Sequence, residues 1–125
     1  MKLLLDTHVL LWWLSDDEQL GRSARQAIET PENLCSVSAA SIWEIAIKTA
    51  LGKLDVPADI EELLGREGFL ALGVSAEHAW EVARLPPIHR DPFDRMLIAQ
   101  CRLEGLTLVT HDTSLGGYAI PILRA

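Results

Sequence analysis

The chain has 125 residues, 49% of them hydrophobic and 23% charged, with a formal net charge of −7. That profile suits one compact domain covering residues 1–125, long enough to bury a core without disulfide or metal staples. It excludes a protein that holds nucleic acid by bulk positive charge, and no apolar run approaches the roughly 18 residues that would span a membrane.

Met1-Lys2-Leu3-Leu4-Leu5-Asp6 turns acidic too soon for a secretory signal, so a cytoplasmic location is expected. The apolar run 2–5 reads as a fully buried strand ending at Asp6. Residues 8–14 read as a helix, Asp16-Asp17-Glu18 as a solvated turn, and 23–30 as a second helix closed by Pro31. A second strand is expected at 34–37. From 38 to 51 the positions Ile42, Ile45, Ala46 and Thr49 keep helical spacing, and Ile47, Ala50 and Leu51 add a second apolar flank. This pattern predicts a widely buried helix ended by Gly52.

A helix over 59–66 and a strand over 69–72 follow. Ser75-Ala76-Glu77 starts a helix expected to reach Leu85, where Pro86-Pro87 stops it. Asp91-Pro92 opens the next helix, with proline at its first position, and Gly105 closes it. Residues 106–109 read as a fourth strand and 118–120 as a short fifth. Alternating strands and helices define an α/β chain with a mostly parallel sheet of about five strands covered on both faces, a three-layer arrangement. Cys35 and Cys101 fit no metal-ligand spacing and read as buried, reduced thiols.

Asp6, Glu44, Asp94 and Asp112 carry the functional signal, because each stands where an apolar run stops or a helix starts. In a parallel sheet, ligands bind beyond the carboxyl ends of the strands. Asp6 directly follows the first strand, Asp112 follows the fourth, and Glu44 and Asp94 are expected in the first turns of helices reaching the same edge. Each acid alone has an ordinary role. Asp6 suits a helix cap, Ser41 to Glu44 matches a capping box, Asp91 caps the helix that carries Asp94, and Asp112 suits an Asx turn. Together they suggest more, since like charges a few Å apart need compensation. A divalent cation with oxygen ligands, magnesium or manganese, supplies it. Removing these four acids and Asp91 from the formal charge leaves −7 + 5 = −2, so acidity does not exclude a phosphate-bearing substrate that depends on metal.

Three strings then become familiar: Asp6-Thr7-His8-Val9-Leu10-Leu11-Trp12-Trp13, Trp43-Glu44-Ile45-Ala46-Ile47-Lys48 with Gly52-Lys53-Leu54, and His89-Arg90-Asp91-Pro92-Phe93-Asp94-Arg95. In this order they resemble PIN-domain proteins, and within them the VapC-like ribonuclease toxins of type II toxin–antitoxin pairs. The resemblance covers the chain from Asp6 to the final strand. It implies a PIN-like three-layer fold and a metal-dependent endoribonuclease that hydrolyses RNA by metal-activated water, leaving 5′-phosphate and 3′-OH ends. Asp6, Glu44 and Asp94 fall on the family's principal acidic positions and Asp112 on a more variable fourth.

Around them, Thr7, Lys48, His89, Asp91, Arg95 and Thr110 are candidates for supporting the acids or touching phosphate. Trp12 and Trp13 point about 100° apart on a helix, so one is expected inward and one nearer the surface. The resemblance also implies a homodimer and an antitoxin partner covering an apolar groove.

Three other readings fit less well. A phosphoaspartyl enzyme wants a second acid two residues after Asp6, where His8 stands. A receiver-like regulatory domain that binds magnesium wants an acidic pair after the first strand and a late lysine, yet no lysine follows Lys53. A non-catalytic PIN-like scaffold is disfavoured by the four retained acids.

Overall fold

The computed structural model describes residues 1–56 and 59–125. Among them, five strands form one parallel sheet: β1 (Lys2–Leu5), β2 (Leu34–Ser38), β3 (Leu70–Leu72), β4 (Thr107–Thr110) and β5 (Ile122–Arg124), in the order β3-β2-β1-β4-β5. Six α-helices are α1 (Thr7–Leu14), α2 (Arg22–Glu29), α3 (Ala39–Ala50), α4 (Ile60–Arg66), α5 (Ala76–Glu81) and α6 (Pro92–Glu104). The three-layer α/β expectation holds. A receiver-type order, 2-1-3-4-5, does not match.

The sheet separates two apolar cores, and strand alternation assigns residues to them. Leu3 and Leu5 join Cys35, Val37 and Val109 against α1, α2, α3 and α4, with Val9, Leu10, Ala24, Ile28, Ile45 and Leu64. Leu4 and Leu108 face the other way, against Leu97, Ile98 and Cys101 of α6 and the loop residues Leu115 and Tyr118. The central run Leu3-Leu4-Leu5 is therefore uninterrupted because both its faces are fully buried. Cys35 and Cys101 are buried free thiols, and burial pushes Cys101 up to about 12, where it is inert.

Several expectations change. The fifth strand lies at Ile122–Arg124, not at 118–120. Tyr118 is spent on the core and the Pro121 carbonyl accepts the Leu108 N–H at 3.0 Å, so pairing starts just after the proline, as an edge strand tolerates. Helix α5 stops at Glu81 and tightens into a 3₁₀ turn, Val82–Arg84. Helix α3 is not buried widely: Ser41, Glu44 and Ile45 are buried, whereas Ala46, Ile47, Ala50 and Leu51 are exposed and Trp43 is 64% exposed. Both Trp12 and Trp13 are half-buried rather than divided between core and surface.

Strand β1 sits where the order turns: β2 and β3 lie on one side of it, β4 and β5 on the other. In open parallel sheets this switch point is where a crevice forms. The chain leaves β1 at Asp6, enters α3 directly from β2, and leaves β4 at His111.

Candidate active site

Asp6 is held at the end of β1 by its own backbone, whose N–H donates to the Val109 carbonyl at 3.0 Å. It caps α1, with Oδ1 accepting the Val9 N–H at 2.8 Å, and its Oδ2 accepts the hydroxyl of Thr110 at the end of β4. Only 4% of the residue is exposed. Burial raises its pKa, and the bonds from Thr110 and Val9 with the nearby His111 and His8 offset only part of that. The cap role and a site role coexist, because the two oxygens point to different partners.

Glu44 lies in the second turn of α3, not the first. β2 runs into α3 without a loop, so the cap falls on its last residue: Ser38 Oγ accepts the Ala40 N–H at 3.0 Å. Ser41 is consequently inside the helix and caps nothing; its buried Oγ has no partner among the described residues. Glu44 is buried, with 8% of it exposed. Thr7 Oγ1 donates to its Oε1 at 2.7 Å and Lys48 Nζ to its Oε2 at 2.9 Å. Lys48 thus forms an ion pair with an acid of the site.

Asp91 takes the cap of α6, its Oδ1 accepting from Phe93 N at 2.8 Å and Asp94 N at 3.3 Å. That leaves the Asp94 carboxyl free of capping. Its pKa is pushed up to about 7, first by burial, then by the Asp91 charge, with Asp6 and Glu44 adding and His89 opposing. The repulsion from Asp6 and Glu44 puts each of them within electrostatic reach of Asp94. Asp112, after β4, caps a 3₁₀ turn (Thr113–Gly117); its Oδ1 accepts the Ser114 hydroxyl at 2.7 Å and N–H at 2.9 Å. The Ser114 hydroxyl, ahead of the opposing burial and with help from the Ser114 N–H and His89, holds its carboxyl below the ordinary value.

His89 ties the two sides together. Its Nε2 lies 3.3 Å from Asp112 Oδ2 and 3.6 Å from Asp94 Oδ2. Its Nδ1 accepts the Asp91 N–H at 3.1 Å, which leaves Nε2 as the proton-bearing nitrogen facing the carboxylates. Ligand atoms of His89, Asp94 and Asp112 all lie within 4.8 Å of one another. Thr110 Oγ1 also accepts the Asp112 N–H at 3.1 Å, so one hydroxyl orients both Asp6 and Asp112.

Arg95 does not stand among the acids. Its guanidinium donates to the carbonyls of Val82 (2.9 Å), Pro86 (3.0 Å) and His89 (3.3 Å) and to the Tyr118 hydroxyl (3.3 Å). The fork is occupied with backbone, which removes it as a phosphate contact. His111 is a neighbour that the sequence reading passed over: its Nδ1 is 4.0 Å from Asp6 Oδ2. Its place directly after β4 was the available signal.

This donor set fits a hard divalent cation. Asp6, Glu44, Asp94 and Asp112 come from the end of β1, α3, α6 and the loop after β4, burial raises the Asp94 pKa to about 7, and oxygen donors of this kind suit magnesium or manganese.

The sequence matches the PIN domain over residues 3–120. The chain belongs to the PIN-domain family. It is 31% identical over 121 residues to Ribonuclease VapC22 of Mycobacterium tuberculosis, covering 94% of this chain and 92% of that one. Its fold is similar to a chain of VapBC2 from Rickettsia felis bound to a promoter DNA fragment (TM-score 0.75, 13% identity, 100% and 99% of the two chains). It is also similar to FitAcB from Neisseria gonorrhoeae (TM-score 0.67, 18% identity, 98% and 96%). At these identities the two structures bear on the fold alone.

Proposed function

We propose that this chain is a metal-dependent endoribonuclease, the toxin of a toxin–antitoxin pair, working in the cytoplasm. The observation that supports it is the meeting of Asp94 with Asp112 and His89, their ligand atoms all within 4.8 Å of one another, with the charges of Asp6 and Glu44 felt at Asp94; a relative 31% identical and named a ribonuclease adds to it. The cation is magnesium or manganese. When bound, it would lower the pKa of a coordinated water and neutralise charge on the phosphodiester.

The chain's own groups arrange the rest. Asp6 from β1 and Asp94 from α6 would be the principal ligands. Thr110 fixes the Asp6 carboxylate and Thr7 fixes that of Glu44. Lys48 neutralises one Glu44 oxygen, leaving Asp94 the acid whose proton must leave before a cation binds. Ser114 orients Asp112, and His89 stands between Asp112 and Asp94, its Nε2 3.3 Å from Asp112 Oδ2 and 3.6 Å from Asp94 Oδ2. Metal-activated water as nucleophile needs no histidine base and no ribose 2′-OH, so the expected products carry 5′-phosphate and 3′-OH.

The antitoxin reading has a matching surface. Between α3, α5 and α6 an apolar cleft of about 570 Å³ is lined by Trp43, Val74, Val82, Phe93 and Met96. Trp43 stands edge-on to Phe93 with ring centroids 5.2 Å apart, and an exposed aromatic of this kind anchors interfaces. An antitoxin segment laid there borders Asp94 through Phe93; a homodimer uses the remaining apolar surface. Among the described residues, no helix is long and apolar enough to cross a membrane.

Incubating the purified chain, free of antitoxin, with structured RNAs tests the reading. Cleavage is expected in manganese, none in EDTA and at least a hundredfold less with Asp94→Asn. Equal cleavage by Asp94→Asn, or cleavage that survives EDTA, overturns it.

A further inference from the structure

His8, Trp12 and His111 form a cluster of three rings at the edge of the acid site. His8 and His111 meet edge to face with centroids 5.1 Å apart, His111 and Trp12 lie 4.8 Å apart, and His8 and Trp12 lie 6.2 Å apart. Trp12 is half-buried and packs on the core beneath α1, whereas both imidazoles are exposed. Among the described residues neither imidazole makes a hydrogen bond, so nothing in the fold employs their polar atoms. Yet His111 Nδ1 is only 4.0 Å from Asp6 Oδ2, which puts the cluster against the candidate metal ligands. We propose that this cluster is a stacking platform for an unpaired RNA base adjoining the scissile phosphate.

The acidic net charge favours stacking over a purely ionic grip. A chain with a formal net charge of −7 gets no help from the bulk positive charge that gives most nucleic-acid binders their affinity. A bound cation can hold one phosphate; the neighbouring nucleotide must be held by contacts that do not need positive charge. Base-on-aromatic stacking is such a contact, and it tolerates every base because each has a π-face. It also selects substrate shape. Bases inside a duplex are already stacked on one another, so the platform takes single-stranded loops, bulges or ends. Trp12 anchors the cluster in the core while the imidazoles line the rim, so the platform is rigid at its base and open at its edge.

The proposal rests on the ribonuclease reading, and its test separates the two. Binding is measured in calcium, a cation that takes the same oxygen ligands, with a single-stranded RNA carrying an abasic ribose at each position in turn. Wild type should lose roughly tenfold in affinity at one position only. His111→Ala should bind the intact RNA roughly tenfold more weakly and show no further loss with the abasic RNA. His111→Phe, which keeps a π-face but no ring nitrogen, should restore the wild-type pattern. A 2-aminopurine at the sensitive position should lose fluorescence on binding wild type and retain it with His111→Ala. His8→Ala gives a second exposed variant, and thermal melting confirms that each variant folds. The proposal is overturned if wild type shows no abasic-sensitive position or no RNA binding. It is equally overturned if His111→Ala keeps the full abasic penalty, or if His111→Gln restores binding while His111→Phe does not. Failure of the ribonuclease reading shows up separately, as absence of cleavage in manganese by the same preparation.

Discussion

Asp94 carries no capping duty, and burial, then the charge of Asp91, raise its pKa to about 7 against the opposing pull of His89. An unfolded aspartate titrates near 3.8, so between about pH 4 and 7 the metal-free native state binds more protons than the unfolded chain. Its contribution to stability is therefore complete below pH 4 and lost as pH rises through 7. Thermal midpoints of the metal-free protein should fall from pH 5 to pH 8, and Asp94→Asn should flatten that fall; an unchanged slope would show that another group is responsible. Manganese affinity should move the opposite way, rising up to about pH 7 as the proton leaves. Thr110→Val makes a second residue-scale test. It removes the hydroxyl that serves Asp6 and Asp112 together, and should cost about 1–3 kcal/mol in urea denaturation. Thr110→Ser, which keeps the hydroxyl, should recover most of that loss.

At the scale of elements, the acids gain their positions from chain geometry that was partly legible beforehand. The uninterrupted Leu3-Leu4-Leu5 run announced a doubly buried strand, and Asp91-Pro92 announced the start of α6. Alternation with helices then gave the parallel sheet and the edge where Asp6 and Asp112 emerge. What could not be read was which partner each apolar side chain meets. Helix α3 has enough apolar residues for a buried rod, yet Trp43, Ile47 and Leu51 face outward, because periodicity records hydrophobicity and not whose core is filled. The same limit moved β5 past Pro121, since Tyr118 serves a loop that packs on α6. Ser41 misled for another reason: a cap motif fits any serine three residues before a glutamate, and only the direct β2–α3 junction shows that Ser38 does the capping. Trp43→Ser should accordingly change the stability of the isolated chain by less than about 0.5 kcal/mol, while an antitoxin complex followed by sedimentation should dissociate at concentrations at least tenfold higher. Arg95→Lys should do the reverse. Its loss of the bonds to Val82, Pro86 and His89 should destabilise by about 2 kcal/mol or more in the same denaturation assay, since a lysine cannot reproduce the fork.

For the whole molecule, the negative charge and the sheet order belong to one design. In the proposed site, acids from β1, α3, α6 and the loop beyond β4 lie where the strand order turns, and a bound cation would relieve their repulsion. Metal should therefore act as a stabilising ligand as well as a cofactor: at one hundred times its dissociation constant, manganese should add about 2.7 kcal/mol to the native state. The sequence resemblance placed the acids in a nuclease; the structure adds that Thr7, Thr110, Lys48 and His89 hold them, and that Arg95 does not take part. The most direct measurement is RNA cleavage in ¹⁸O-labelled water with manganese, followed by mass analysis of the new ends. Hydrolysis by activated water predicts ¹⁸O in the 5′-phosphate and an unlabelled 3′-OH. Unlabelled 2′,3′-cyclic phosphate ends would contradict the account.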